Sequence, residues 1–153
     1  MSLSKEDTIL LEEYKLAVEY VYNESEAFWN RFNIGTTLNL GLIAAYNYIL
    51  SASTNNSNRE LELGLTMIVI TGFINSVFWF FILNRLHGYH VYWQTRVRKI
   101  EEHFKILKLF TGVKEYFNKK IFLQRISSNI LGIMLSFIFV ILWFIILIIR
   151  YDI

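Results

Sequence analysis

The stretch LGLTMIVITGFINSVFWFFILN, residues 63–84, contains 22 residues without a single Asp, Glu, Lys or Arg. It runs directly into RLHGYHVYWQTRVRKIEEHF, residues 85–104, which holds all three histidines of the chain. A helix needs about 20 residues to cross the hydrocarbon core of a bilayer, and one charge at the centre costs roughly 3 kcal/mol. The first stretch therefore predicts a membrane-spanning helix with an aromatic and basic continuation beside the bilayer.

Two further windows, residues 32–58 and 126–149, also lack Asp, Glu, Lys and Arg. The chain is 54% hydrophobic and 17% aromatic, well above a soluble domain. Proline is absent, so helices are free to continue past the membrane boundary, and the absence of cysteine excludes disulfides and thiol catalysis. We therefore predict an all-α membrane protein with three transmembrane helices and long cytoplasmic helical extensions that form an antiparallel bundle.

The basic residues set the predicted orientation, because Lys and Arg near the ends of spans stay in the cytoplasm. Thirteen of the fifteen lie on one side if the N-terminus is cytoplasmic, and the C-terminus is then external. The first predicted segments are a cytoplasmic amphipathic helix (1–32), the first span (33–52), an external loop (53–62) and the second span (63–84). They are followed by a basic cytoplasmic helix (85–111), an interfacial segment (112–125), the third span (126–149) and an external tail (150–153).

Both predicted cytoplasmic helices carry an apolar stripe with steps of three and four residues, which is typical of helices that pack side by side. The stripe of the first helix consists of Leu10, Tyr14, Ala17, Val21, Phe28 and Phe32. The stripe of the second consists of Trp93, Val97, Ile100, Phe104, Leu107 and Thr111. One helix enters the membrane and the other leaves it, so we expect antiparallel packing with an acidic strip opposite a basic one.

Small and polar residues within the spans predict contacts other than lipid. Those of the first span lie near one helical face: Asn33, Thr37, Ala44, Asn47 and Ser51. They either hydrogen-bond between helices, which is the commoner role, or line a water-filled path in an oligomer, because one three-helix protomer is too thin to enclose a path. In the third span Ser128, Gly132 and Ser136 recur every four residues and predict a close helix contact.

Basic and aromatic residues after the second span form a candidate site for an anionic ligand. Arg96, Lys99 and His103 share one helix face, and neighbouring rings offer surfaces on which a base can stack. The predicted ligand-binding residues are Arg85, His90, Trp93, Arg96, Arg98, Lys99 and His103. The alternative is structural, since Trp and Tyr favour membrane interfaces, while Lys and Arg fix topology and attract anionic lipid.

The histidines also raise the question of catalysis. An Arg-x4-His spacing, which resembles the signature of HEPN ribonucleases, joins Arg85 to His90 and Arg98 to His103. Residues five apart on a helix point about 140° apart, so each pair converges only with a second copy, and we predict that the chain is not an enzyme. His87 and His90 are spaced to share a metal ion, yet no carboxylate or thiol lies nearby, so we expect no metal or other cofactor.

Three stretches give the chain a distinctive layout: EEYKLAVEYVYNESEAFWNRFN (12–33), FWFFILNRLHGYHVYWQTRVRKIEE (78–102) and RISSNILGIMLSFIFVILW (125–143). With the W-x2-R-x-R-K-I-E-E pattern at 93–102, this layout resembles small membrane proteins found beside bacterial anti-phage genes, in particular the channel-like effector of Hailong-type systems. The resemblance implies a tetrameric membrane effector that short deoxyadenylate oligomers, made by a partner nucleotidyltransferase, hold shut. Loss of the ligand then opens the effector and depolarises the infected cell.

These features together predict an oligomeric ion channel or pore in the bacterial inner membrane. It would be gated by an anionic cytoplasmic ligand, a nucleotide or short oligonucleotide, and would act in anti-phage defence by membrane depolarisation. The expected partners are further copies of the chain, four on the strength of the resemblance, and the lipid bilayer. Two alternatives stay open: a non-conducting membrane-anchored scaffold that recruits a cytoplasmic partner, and a HEPN-like membrane-bound ribonuclease.

Overall fold

The chain folds into long helices. The residues described by the computed structural model are 4–53, 59–104, 109–112 and 127–151. Most of them belong to three helices: α1 (Lys5–Ser53), α2 (Arg59–Phe104) and α3 (Ser128–Tyr151). Residues 109–112 are helical as well, and every described residue except Ser4 and Ser127 lies in a helix. The prediction of an all-α fold is therefore confirmed.

The helices extend beyond the charge-free windows from which they were predicted. α1 continues to Ser53 and α2 already begins at Arg59, so the described ends of the predicted loop at 53–62 are helical. Absence of charge marks the stretch that lies in lipid, whereas a helix continues into water with charged residues on its surface. The parts of the predicted segments that lie outside the described residues are 1–3, 54–58, 105–108, 113–126 and 152–153.

A capping box begins α1. The Asp7 backbone N–H donates to Ser4 Oγ at 3.1 Å, and the Asp7 carboxylate accepts from the Ser4 N–H at 3.2 Å and from the Ser4 hydroxyl at 2.8 Å. These bonds satisfy amides that the first turn of a helix leaves without partners. Gly88 does not interrupt α2, which continues through it. A Cβ added to Gly88 would have no atom within 4 Å.

The described residues form two compact units. The extension unit comprises those within 1–29 and 85–130, and the span unit comprises those within 30–84 and 131–153. α1 and α2 each contribute one end to the extension unit and the other end to the span unit.

In the extension unit, the predicted apolar stripes meet. Ala17, Val21 and Val97 are buried in one cluster, against which Tyr14 and Trp93 pack. Pairs across the two helices are antiparallel, because the residue number rises on α1 while it falls on α2. These pairs are Asp7 with His103, Glu13 with Arg96, and Tyr20 with Trp93.

Glu101 is a buried carboxylate in the extension unit, with 1% of its surface exposed. Its oxygens accept hydrogen bonds from the Tyr14 hydroxyl at 3.2 Å and from the backbone N–H groups of Phe110 and Thr111 at 2.9 and 2.8 Å. Burial alone raises the pKa of Glu101, but these hydrogen bonds to the ionised form outweigh it and hold the pKa below its ordinary value. The carboxylate thereby ties α1, α2 and residues 109–112 together.

In the span unit, indole rings lie against glycines. A Cβ added to Gly35 would come within 2.9 Å of the Trp79 ring, and one added to Gly72 would overlap the ring of Trp143. Trp143 is completely buried. Because glycine has no side chain, α1 and α2, and likewise α2 and α3, approach each other across these rings, as small residues allow in membrane helices.

Within the part of the chain that the structure describes, two helices are long and apolar enough to cross a membrane, α2 and α3. Both pack antiparallel in the span unit, where the Arg150 guanidinium of α3 pairs with the Glu62 carboxylate of α2. α1 does not pass the same test, because its second half contains Asn33, Asn39 and Asn47 among its apolar residues. Two candidate spans are therefore established, and the first of the three predicted spans stays a prediction.

Candidate functional site

The residues predicted to line a pore all lie on the exposed side of α1. We call this surface the polar face, and it consists of Asn33, Thr37, Ala44, Asn47 and Ser51. Gly41 lies on the same side, and nothing is within 4 Å of a Cβ added there. The Ser51 hydroxyl donates to the Asn47 carbonyl at 2.9 Å. Among the described residues, the side chains of Asn33, Thr37 and Asn47 make no hydrogen bond to α2 or α3.

A different asparagine, Asn39, holds the span unit together from the opposite side of α1. Its Oδ1 accepts hydrogen bonds from the Ser76 hydroxyl of α2 at 2.6 Å and from Trp143 Nε1 of α3 at 3.0 Å. Its Nδ2 donates to the Gly35 carbonyl at 2.9 Å, and Asn39 is buried. One amide side chain thus connects all three long helices.

Sequence reasoning missed Asn39 because it considered only the larger group of polar residues on the other face. The available signal was its isolation: Asn39 is the one Asn on the apolar side of the predicted span, and the indole N–H of Trp143 is a donor that requires an acceptor when buried.

The small-residue ridge of α3 is divided in the structure. Gly132 and Ser136 are buried, whereas Ser128 is exposed. The Ser136 hydroxyl donates to the Gly132 carbonyl of its own helix at 3.0 Å. Two of the three predicted packing residues thus lie on the inner side of α3.

The predicted ligand-binding residues do not form a single site in the protomer. Two of them face acidic residues of α1: the Arg96 guanidinium pairs with Glu13, and His103 Nε2 lies 3.5 Å from Asp7 Oδ1. Lys99 is exposed. The hydrogen bonds from Ser4 lower the pKa of Asp7 most, and His103 lowers it further. Attraction within the extension unit therefore already engages part of the predicted anion site.

Arg85 and Trp93 line a groove of about 620 Å³ in the extension unit, which we call the aromatic groove. Its lining residues are Tyr20, Glu24, Arg85, Gly88, Tyr89, Tyr92 and Trp93. The Tyr20 and Trp93 rings stack with centroids 4.6 Å apart and planes at 11°. The Arg85 Nη2 and Nε atoms donate to the Tyr89 hydroxyl at 3.0 and 3.2 Å, and the guanidinium lies 5.6 Å from the centre of that ring.

A smaller depression of about 230 Å³ shares Tyr92 with the aromatic groove. Thr95, Arg96 and Lys99 complete its lining, and we call it the basic depression. Its two cations make it the described location that best suits a phosphate, although Arg96 also contacts Glu13.

His90 and Arg98 belong to a hydrogen-bonded row on α2. Gln94 Nε2 lies 2.8 Å from His90 Nε2, and the Arg98 Nη2 donates to Gln94 Oε1 at 3.2 Å. Burial lowers the pKa of His90 most and neighbouring His87 lowers it further, while the Val21 carbonyl and Glu24 act in the opposite direction. A neutral His90 fits this row, since its Nε2 then accepts from the Gln94 amide.

The arrangement within one protomer does not assemble a nuclease site from either Arg-x4-His pair. Arg85 donates to Tyr89 and His90 contacts Gln94, while Arg98 donates to Gln94 and His103 pairs with Asp7. Among the residues that the structure describes, no group of three or more His, Cys, Asp or Glu is placed to hold a metal ion.

The sequence of the chain matches a known family of membrane proteins. The model of the octameric membrane protein family (8xMP) matches residues 11–151, which is nearly the whole chain. The chain belongs to this family. No curated protein and no solved structure matches it.

Membership of the octameric membrane protein family, together with the apolar helices α2 and α3, makes the chain an oligomeric membrane protein. The family's name specifies eight copies, whereas the resemblance to Hailong-type effectors implies four. The match covers both the polar face of α1 and the aromatic groove, since both lie within residues 11–151.

Proposed function

We propose that the chain assembles into an oligomeric membrane pore whose wall includes the polar face of α1. The single observation that supports it most is the exposure of Asn33, Thr37 and Asn47 on the outside of a helix whose buried side is satisfied by Asn39. Amide and hydroxyl groups that face hydrocarbon lack hydrogen-bond partners and cost free energy. In an assembly, the polar face turns either to a neighbouring copy or to water.

The number of copies in the assembly favours a polar face that turns to water over one that turns to a neighbouring copy. We propose eight, following the name of the family. A ring of eight helices, each about 10 Å wide, leaves an opening with a radius of roughly 8 Å at its centre, too wide for side chains to fill. A face that carries neutral polar groups suits such an opening, because it is wetted without imposing a fixed charge.

A ligand gate in the extension unit is the second part of the proposal. The basic depression at Arg96 and Lys99 suits an anion such as a nucleotide or short oligonucleotide. Because Arg96 also holds Glu13, an anion that binds there competes with the α1 contact. α1 is one continuous helix from Lys5 to Ser53, so a change at Glu13 reaches the polar face without an intervening loop.

Conduction is the decisive test of the pore. Purified protein reconstituted in planar bilayers should pass ions, and Thr37→Leu combined with Asn47→Leu should strongly lower the conductance. Ile74→Leu is the matched control, since Ile74 is exposed on α2 outside the polar face. A wild-type protein that carries no current, with its assembly confirmed by mass measurement in detergent, would remove the pore and leave the non-conducting scaffold.

The gate requires its own experiment. Short deoxyadenylate oligomers and pyrophosphate, added to the side of the extension unit, should change the open probability of the wild type. Arg96→Ala with Lys99→Ala should abolish that response, while Lys15→Ala, which alters an exposed cation of α1, should retain it. An unchanged response in the double variant would refute the basic depression as the sensor.

The biological setting that we propose is the bacterial inner membrane, with a cytoplasmic N-terminus, an external C-terminus and a role in anti-phage defence through depolarisation. The support is the distribution of Lys and Arg and the resemblance to Hailong-type effectors. A potential-sensitive dye in infected cells that express the chain should report depolarisation, and Thr37→Leu with Asn47→Leu should suppress it. We also propose that the chain is not an enzyme, and RNA cleavage lost in His103→Ala or His90→Ala would contradict this.

A further inference from the structure

The aromatic groove contains two opposite charges that do not neutralise each other. Glu24 and Arg85 both line it, yet no ion pair joins them in the described structure. The Arg85 guanidinium instead donates hydrogen bonds to the Tyr89 hydroxyl. Tyr89 and Tyr92 are exposed, and Gly88 leaves the floor of the groove open. A groove of about 620 Å³ thus presents a cation, an anion and several ring faces to whatever fills it.

The position of the groove along the helices matches the headgroup layer of a bilayer. Arg85 is the first charged residue after the apolar stretch at 63–84, and Tyr92 follows about 10 Å further along the axis at 1.5 Å per residue. On α1, Glu24 lies a similar distance before Arg31, where the charge-free window begins. The headgroup region extends roughly 5–8 Å beyond the hydrocarbon on each side, so it overlaps the Arg85 end of the groove, and Glu24 and Tyr92 lie at its outer edge.

We infer that the aromatic groove binds the headgroup of a phospholipid that carries both a phosphate and a primary amine, as phosphatidylethanolamine does. The Arg85 guanidinium donates to the phosphate, and Glu24 accepts from the ammonium. The exposed face of Tyr92 attracts the same ammonium through its π electrons. The inference depends on membrane association alone and does not require the proposed pore or its anionic ligand.

Charge matching favours this headgroup over a purely anionic one. A phosphatidylglycerol headgroup or a nucleotide phosphate satisfies Arg85 but leaves the Glu24 carboxylate close to additional negative charge. A headgroup with both charges compensates both side chains. An aromatic ring that only anchors a helix at the membrane interface does not need a groove. Tyr22 is such a ring, since it is exposed in the same unit and does not line the groove.

Native mass spectrometry of the full-length protein in detergent, titrated with phosphatidylethanolamine or phosphatidylglycerol of the same acyl chains, tests the inference. The wild type should bind phosphatidylethanolamine about tenfold more tightly, the size expected for one hydrogen bond between charged groups. Glu24→Gln should remove this preference. Glu26→Gln, an exposed carboxylate two residues along α1 that does not line the groove, should retain it.

Two further variants separate the contributions. Arg85→Gln should weaken both lipids, because both carry the phosphate, and Tyr92→Leu should weaken phosphatidylethanolamine more. Circular dichroism and the mass of the assembly check that each variant is folded. Equal affinity of the wild type for the two lipids, an unchanged preference in Glu24→Gln, or displacement of the lipid by adenosine monophosphate at equal concentration would overturn the assignment.

Discussion

The first half of α1 packs through an apolar cluster and an ion pair, and the second half through close ring contacts and one buried amide, Asn39. In the extension unit, Ala17 and Val21 are buried in the apolar cluster, and Glu13 pairs with Arg96 of the neighbouring helix. In the span unit, Asn39 Oδ1 accepts hydrogen bonds from both other helices. Asn33, Thr37 and Asn47 on that half are exposed.

This difference is the one expected of a helix whose first half lies in water and whose second half crosses a membrane, as the sequence predicts for α1. In water, burial of apolar side chains stabilises a helix pair, so the inner side is the apolar side. In lipid, apolar residues gain little by facing inward, and close packing with a few hydrogen bonds determines the inner side. In the span unit, the outward polar face of α1 therefore requires a neighbouring copy or water as a hydrogen-bond partner. In the extension unit, outward polar side chains are hydrated.

Breaking the close packing of the span unit should have the largest effect. Gly72→Ala places a methyl group in the volume of the Trp143 ring, which is completely buried, and should lower stability by up to about 3 kcal/mol. Thermal unfolding in detergent measures it. Gly41→Ala is the matched control, since nothing lies within 4 Å of the added carbon, and it should be neutral or slightly stabilising. Equal losses in the two variants would contradict the packing account.

The buried carboxylate of the extension unit comes next. Glu101→Gln replaces a hydrogen-bonded anion and should cost about 2 kcal/mol, while Glu102→Gln at the exposed neighbouring position should cost little. Because the pKa of Glu101 is lower in the folded state than in the unfolded chain, its stabilisation is complete above the ordinary carboxyl pKa and is lost as the pH falls through the folded value. Acidification should therefore destabilise the wild type more than Glu101→Gln. An identical pH dependence would show that Glu101 is not responsible.

The Asn39 contact should contribute less, because hydrogen bonds between membrane helices are modest. Asn39→Leu should lower stability by about 1 kcal/mol and shift the tryptophan emission, since Trp143 loses its acceptor. Asn30→Leu, an exposed position on the same helix, should leave the emission unchanged. A stable Asn39→Leu variant with unaltered emission would mean that packing of Trp143 over Gly72 suffices.

The exposed ion pair should give the smallest effect. Glu13→Gln removes the partner of Arg96 and should shift the unfolding temperature slightly at low salt and not at all at high salt, because the Arg96 side chain is exposed and that of Glu13 is partly exposed. Arg96→Gln should produce the same shift, and the double variant should add nothing further. A large shift that is independent of salt would contradict this, because it would show that a polar pair holds the first half of α1 as firmly as Asn39 holds the second.

Much of the extension unit could be predicted from the sequence. The steps of three and four through Ala17, Val21 and Val97 identified the buried side. The acidic strip expected opposite a basic one includes the pair of Glu13 with Arg96. Glu101 escaped notice because a carboxylate in a basic helix gives no local sign that three donors converge on it. Glu24 was missed for a similar reason, since the aromatic groove exists only when α1 and α2 are side by side.

The span unit was harder to predict. The positions of the apolar helices follow from the charge-free windows, but the polarity of Asn33 and Asn47 gave no indication of whether they face a helix or the outside. Gly72 and Trp143 are 71 residues apart, and only the structure shows that one accommodates the other. Ser128, Gly132 and Ser136 resembled one ridge, yet the beginning of α3 leaves Ser128 exposed.

The chain contains no cysteine, so single cysteines report water contact at chosen positions without further engineering. The most direct test of the polar face is reaction of Ala44→Cys with a charged, membrane-impermeant thiol reagent in reconstituted vesicles. Ile138→Cys on α3, exposed near the middle of its helix, is the matched control in lipid. The account predicts rapid labelling at Ala44 and none at Ile138, and an Ala44→Cys that is as unreactive as Ile138→Cys would contradict it.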